Sequence, residues 1–71
     1  MSTLTLHVNG EPVRLPAGST VADVVARVTG EDEPRGVAVA VDRCIVPRSE
    51  WATTTLAGGA HIEVVEAAAG G

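Results

Sequence analysis

The start of the chain constrains the fold more than any other segment, because it predicts a β-hairpin. Residues 3–9 alternate strictly between apolar and polar side chains, which is typical of a half-buried strand. Asn9-Gly10 then favours a type I′ turn, since both central positions of that turn need a positive φ. Val13 and Leu15 continue the apolar face on a returning strand, and Pro12 is compatible with a strand at a sheet edge.

A short amphipathic helix is predicted between Thr20 and Gly30. Thr20 is a good N-cap, and Asp23 three residues later completes a short version of the capping box. Gly30 is a typical helix stop. Valines recur on one helical face at positions i, i+3, i+4 and i+7: Val21, Val24, Val25 and Val28. Because β-branched residues lower helix propensity, this helix depends on packing against a sheet.

Three further strands are predicted in the second half of the chain. Residues 37–42 alternate Val with Ala, so both faces of this strand are expected to be covered, the Ala face by something bulky or by a partner. A tight turn at Asp42-Arg43 leads into residues 44–46 and makes a second hairpin. Residues 61–66 form the last strand, with Ile62 and Val64 facing inward.

This order of elements predicts an α+β fold. The first and last strands are expected to be parallel neighbours in a mixed four- to five-stranded sheet, with one main helix packed on one face and the other face partly open. That arrangement is the ubiquitin-like β-grasp roll. Residues 1–66 are expected to form the domain, and residues 67–71 a flexible C-terminal tail that ends in Gly-Gly.

Composition narrows the classes of function. The 71 residues include one Trp and no Phe or Tyr, so the core must be built from Val, Ile, Leu and Ala. A net charge of −4 argues against binding to nucleic acid or to an anionic membrane surface. The single Cys44 and the lack of a long apolar span indicate a reducing, cytoplasmic location.

The terminal Gly70-Gly71 is suited to chemistry at the carboxyl end. Without Cβ atoms, such an end can enter a narrow channel and adopt almost any backbone conformation. Its carbonyl carbon is sterically bare, as is needed for activation by another enzyme. All five basic residues are Arg, so no lysine amine is available to capture an activated carboxyl group. A modifier that conjugates to itself is therefore disfavoured.

Three blocks of sequence together resemble a known family. They are Val8-Asn9-Gly10, Val46-Pro47-Arg48 with Trp51, and the terminal Gly70-Gly71. They occur in the order found in the ThiS family, the bacterial sulfur carriers of thiamine biosynthesis, and the resemblance covers nearly the whole chain.

The resemblance implies a protein cosubstrate and not an enzyme. An E1-like adenylyltransferase of the ThiF type would use ATP and magnesium to adenylate Gly71. A sulfur donor such as a cysteine desulfurase would then leave a thiocarboxylate, which a ThiG-type thiazole synthase accepts. Gly70 and Ala69 would let the end reach both active sites. No bound cofactor and no metal are implied, and the free protein is expected to be a monomer.

Several residues have more than one interpretation. Arg48 and Trp51 are candidates for partner contacts, and equally for anchoring the irregular segment after Pro47. His7 and His61 are expected to be neighbours on parallel strands, where solvent-facing positions are commoner than metal ligands. Cys44 is expected to be a small hydrophobe rather than a sulfur relay.

Two alternative functions stay open. One is the same chemistry in another pathway, as in the small subunit of molybdopterin synthase, although the Pro-Pro tail and the Phe residues usual there are missing. The other is a ubiquitin-like module that binds proteins without covalent chemistry. An independent enzyme is disfavoured, because no acid–base or nucleophile constellation is visible.

Overall fold

One mixed sheet organises the computed structural model, which describes residues 2–31 and 34–66. Within these residues the strands are β1 Thr3–Val8, β2 Glu11–Pro16, β3 Val37–Val41, β4 Cys44–Val46 and β5 His61–Glu66. Their order across the sheet is β2-β1-β5-β3-β4. β1 and β5 are parallel, and the other neighbours are antiparallel. The predicted parallel pairing of the first and last strands is confirmed.

Both predicted hairpin turns are present. Asn9 and Gly10 have φ values of 52° and 85°, as a type I′ turn requires. The turn between β3 and β4 places Asp42 and Arg43 at φ values of 48° and 72°. β2 lies at a sheet edge, where the missing N–H of Pro12 is tolerated.

The predicted helix is confirmed as α1, Val21–Thr29, with both of its predicted caps. The Thr20 hydroxyl accepts a hydrogen bond from the Asp23 backbone N–H at 3.3 Å. In return, the Asp23 carboxylate accepts one from the Thr20 backbone N–H at 2.8 Å. Gly30 ends the helix with a φ of 77°. The capping box therefore satisfies two donors that the first helical turn leaves unpaired.

The connection between β4 and β5 holds the start of the helix. It contains a short 3-10 helix, Arg48–Glu50, which was not predicted. The N–H groups of Val21 and Ala22 donate to the carbonyl oxygens of Thr54 and Trp51, each at 3.0 Å. The helix N-terminus is thus covered by this connection instead of being open to a ligand.

The core lies between α1 and one face of the sheet. Its largest fully buried side chains are Leu6, Ile62, Val21, Val24, Val25 and Val39. Val28, the fourth valine of the predicted stripe, stands in the last helical turn and is 42% exposed. The packed face of the helix therefore ends at Val25.

The alanine face of β3 differs from expectation. Ala38 is exposed and Ala40 is half-buried, whereas Val39 between them is buried. In the part of the chain that the structure describes, the helix covers only the valine face of this strand. The alanine face is thus not packed against another element of the described chain, and its cover by a partner stays a prediction. The fold is the expected ubiquitin-like β-grasp, with the sheet face opposite α1 left open.

Candidate functional site

The strand that leads towards the predicted working end lies in the middle of the sheet. β5 runs between β1 and β3, and its last residue, Glu66, pairs with Val37. Ala69, Gly70 and Gly71 lie outside the described residues, so their roles stay predictions. The structure therefore describes the domain from which that end extends.

Asn9 binds the main chain of β5 close to the end of the strand. Its side-chain Oδ1 accepts a hydrogen bond from the Val64 N–H at 2.9 Å, and its Nδ2 donates to the Val64 carbonyl at 3.2 Å. Its backbone N–H donates to the Ile62 carbonyl at 2.9 Å. Sequence reasoning assigned Asn9 to the turn alone, because its partners lie more than fifty positions away.

Asp42 binds the opposite end of the same strand. Its Oδ1 accepts a hydrogen bond from the His61 N–H at 3.0 Å. Its own backbone N–H donates to the His61 carbonyl at 2.7 Å. Asp42 and Asn9 are both first residues of turns with positive φ, so these two turns hold β5 at its start and near its end.

Arg48 and Trp51 lie together where the β4–β5 connection begins. Trp51 is only 4% exposed, and its Nε1 donates to the Val46 carbonyl at 3.0 Å. The guanidinium carbon of Arg48 lies 4.8 Å from the centroid of the Trp51 ring, a cation–π contact. Arg48 also donates to the carbonyl of Pro34. These contacts anchor the connection to the core, while contact of Arg48 or Trp51 with a partner stays a prediction.

Exposed apolar side chains lie on the open face of the sheet. Ile45 is 73% exposed and Val65 is 59% exposed. The register pairs Ala38 with Val65 and Ala40 with Ile45, which places all four side chains on the face away from α1. We call these four residues the open-face patch. The sequence signal for it is Val65, which follows the inward Val64 and so gives the strand apolar residues on both faces.

The remaining candidate residues do not assemble into a chemical site. The rings of His7 and His61 stack with centroids 4.9 Å apart, which confirms that they are neighbours on parallel strands. Among residues 2–31 and 34–66, no group of three or more His, Cys, Asp or Glu side chains is placed to hold a metal ion. Cys44, interpreted from the sequence as a small hydrophobe, is exposed and does not pack in the core.

The fold and the placement of β5 define a ubiquitin-like β-grasp domain whose last strand is central to the sheet. The family model of the ThiS family matches residues 6–71. The chain therefore belongs to the ThiS family, the small sulfur carriers of thiamine biosynthesis.

A solved structure has the same fold. It is the crystal structure of the thiamine biosynthesis protein ThiS from Geobacter metallireducens, with a TM-score of 0.72 and 21% sequence identity. The match covers 96% of this chain and 100% of that one. No curated protein matches the chain. In the described part of the chain, no helix has the length and apolar character needed to cross a membrane.

Proposed function

We propose that this protein carries sulfur as a thiocarboxylate on Gly71 and delivers it for the thiazole ring of thiamine. The Gly71 carboxylate attacks the α-phosphorus of ATP in an E1-like, ThiF-type adenylyltransferase, and pyrophosphate leaves. A donor persulfide then attacks the acyl carbon, and AMP leaves. A thiol reductant cleaves the resulting S–S bond and frees the thiocarboxylate. ATP and magnesium belong to the partner enzyme, and a ThiG-type thiazole synthase accepts the sulfur.

The observation that carries the proposal is the extent of the family match. It reaches residue 71 and so includes Gly70-Gly71, the residues to which the chemistry is assigned. A carboxyl group with a pKa of about 3.5 is ionised at neutral pH and is a poor electrophile. Adenylation supplies the leaving group that the carboxylate lacks, which is why a sulfur carrier needs an ATP-dependent partner.

The domain supports this role as the part that a partner enzyme holds. Ile45 and Val65 are the two exposed large side chains of the open-face patch. Val65 lies within β5, the strand that leads to Gly71, and Ile45 lies on β4, which β3 separates from β5. Exposed apolar side chains on one face are common in surfaces that bind proteins. The absence of lysine supports transfer of sulfur over attachment to the side-chain amine of another copy.

Intact-mass measurement tests the proposal directly. The full chain is incubated with a ThiF-type adenylyltransferase, ATP, magnesium and sulfide, and we expect the gain in mass that corresponds to replacement of one oxygen by sulfur. A variant with one alanine added after Gly71 is the control, and it should fold normally but gain no sulfur. No mass change in the unmodified chain, or equal gain in the extended one, would contradict the proposal.

The acceptor of the sulfur decides between pathways. Thiocarboxylated protein is offered to thiazole synthase and, separately, to the large subunit of molybdopterin synthase, and we expect only the first to take the sulfur. Function that survives deletion of Gly71 would instead favour the non-covalent binding module.

A further inference from the structure

The side chain of Asn9 occupies the place of a peptide group beside β5. The parallel pairing of β1 with β5 ends at Val8 and Ile62, because the backbone then turns away at Asn9. The main-chain N–H and C=O of Val64 still face that side of the strand. The Oδ1 and Nδ2 atoms of Asn9 pair with both, at 2.9 and 3.2 Å. The amide thus extends the ladder beyond the last residue of β1.

We propose that Asn9 is a positioning residue for sulfur transfer, because it fixes the direction in which β5 leads towards Gly71. The proposal rests on the proposed function of Gly71. On one side, β3 holds the end of β5 through the pairs Ala38–Val65 and Val37–Glu66. On the other side, the Asn9 amide makes two hydrogen bonds to Val64, so the end of β5 is held along both of its edges.

The place and direction of Glu66 set the region that Gly71 can reach. Residues 67–71 follow Glu66, and five residues span at most about 17 Å when extended. A strand end that swings more freely enlarges this region, so Gly71 spends a smaller share of its time in the active site of a bound partner. The rate of reaction in the complex then falls, because the reacting groups are held together less often.

The need for a positive φ does not by itself explain asparagine at position 9. Glycine or aspartate also suits this turn position. Glycine lacks both partners for Val64, and aspartate offers two acceptors where one donor and one acceptor are needed. Asn9→Gly therefore keeps the turn and removes both side-chain hydrogen bonds to Val64. Asn9→Asp keeps the turn and places an acceptor opposite the Val64 carbonyl, where a donor is needed.

Asp42→Gly is a matched control. Asp42 is the first residue of the other turn with positive φ, and its carboxylate holds the His61 N–H at the start of β5. The substitution removes a side-chain hydrogen bond to the same strand at its far end. It should affect stability in a similar way without loosening the segment that follows Val64.

Two measurements test the proposal at a temperature where all variants are folded. By NMR, we expect faster amide exchange and lower order parameters at Val65 and Glu66 in both Asn9 variants, but not in Asp42→Gly. In ATP–pyrophosphate exchange with a ThiF-type adenylyltransferase, kcat should fall about threefold to tenfold while KM for the carrier stays within about twofold. Asp42→Gly should match the wild type in both kinetic constants.

The outcomes separate this proposal from the one on which it rests. If the wild-type chain supports no pyrophosphate exchange, the proposed function is wrong. The role of Asn9 in sulfur transfer is then wrong as well, because it rests on that function. If the wild type is active and Asn9→Gly has the same kcat, only the positioning role is wrong. An equal loss of kcat in Asp42→Gly would also overturn it, since the effect would then be one of general stability.

Discussion

At the scale of single residues, the two hairpin turns meet the need for positive φ differently. Asn9-Gly10 uses residue types that adopt this conformation readily. The second turn places Arg43 at a φ of 72°. For a residue with a Cβ atom, the left-handed conformation costs about 1–2 kcal/mol. The hydrogen bonds between Asp42 and His61 offset part of that cost.

Replacing Arg43 with glycine should stabilise the protein. We expect Arg43→Gly to raise the free energy of unfolding by about 0.5–1 kcal/mol. Glycine relieves the strain of the left-handed conformation, and the larger backbone entropy that glycine loses on folding cancels part of this gain. Urea denaturation measures the change. Arg14→Gly, in the extended backbone of β2, removes the same charge and should be destabilising. An Arg43→Gly variant no more stable than the wild type would contradict this account.

At the scale of elements, α1 depends on packing and caps. It has nine residues, whereas isolated helices shorter than about 12–15 residues are marginal in water. Its valines also have lower helix propensity than Ala or Leu. Burial of Val24 and Val25 and the caps at both ends therefore supply most of its stability.

Truncation of two valines on this helix tests that view. Val25 is fully buried and Val28 is 42% exposed, so the same change is made in two environments. Val25→Ala should cost about 2 kcal/mol through lost burial and the cavity left behind. Val28→Ala should change the free energy of unfolding by less than about 0.5 kcal/mol, since alanine is the better helix former. Thermal unfolding compares them, and equal losses would refute the assigned packing.

Elements with local signals were predictable from the sequence. Asn9-Gly10, the Thr20–Asp23 capping box and the alternation in residues 3–9 each involve neighbours in the chain, so the residue types alone indicate the conformation. The parallel pairing of the first and last strands followed from the order of the elements. These predictions are confirmed because tertiary packing agrees with these particular local preferences.

Contacts between distant segments were not predictable in the same way. The bond from Asn9 to Val64 joins residues 55 positions apart, and nothing near Asn9 indicates it. The burial of Trp51 depends on how the β4–β5 connection folds back on the core. In both cases the residue type suits another local role equally well, a turn for Asn9 and a surface anchor for Trp51.

At the scale of the whole molecule, the fold is complete only when its last strand is in place. β5 fills the position between β1 and β3, and without it the sheet would separate into two hairpins. The strand contributes Ile62 and Val64 to the core. The segment nearest the predicted working end is thus also central to stability.

Two truncations test the predicted boundary between domain and tail. A chain that ends at Glu66 should keep its free energy of unfolding within about 0.5 kcal/mol of the full chain, since the domain is expected to end there. A chain that ends at Glu63 loses Val64, which pairs with Val39 and with Asn9, and should not unfold cooperatively. Circular dichroism during heating measures both. A large loss of stability in the chain that ends at Glu66 would place the boundary of the domain beyond that residue.

The Asn9–Val64 contact also bears on chemical ageing. In an Asn-Gly sequence the glycine nitrogen can attack the asparagine side-chain carbonyl, expel ammonia and form a succinimide, which water opens to an acidic residue. Both polar atoms of the Asn9 amide are engaged with Val64, so in the folded protein this reaction must first break two hydrogen bonds. Once it has occurred, a carboxylate oxygen faces the Val64 carbonyl where a donor stood. Deamidation at this one residue would therefore loosen the last strand, and the folded state delays it.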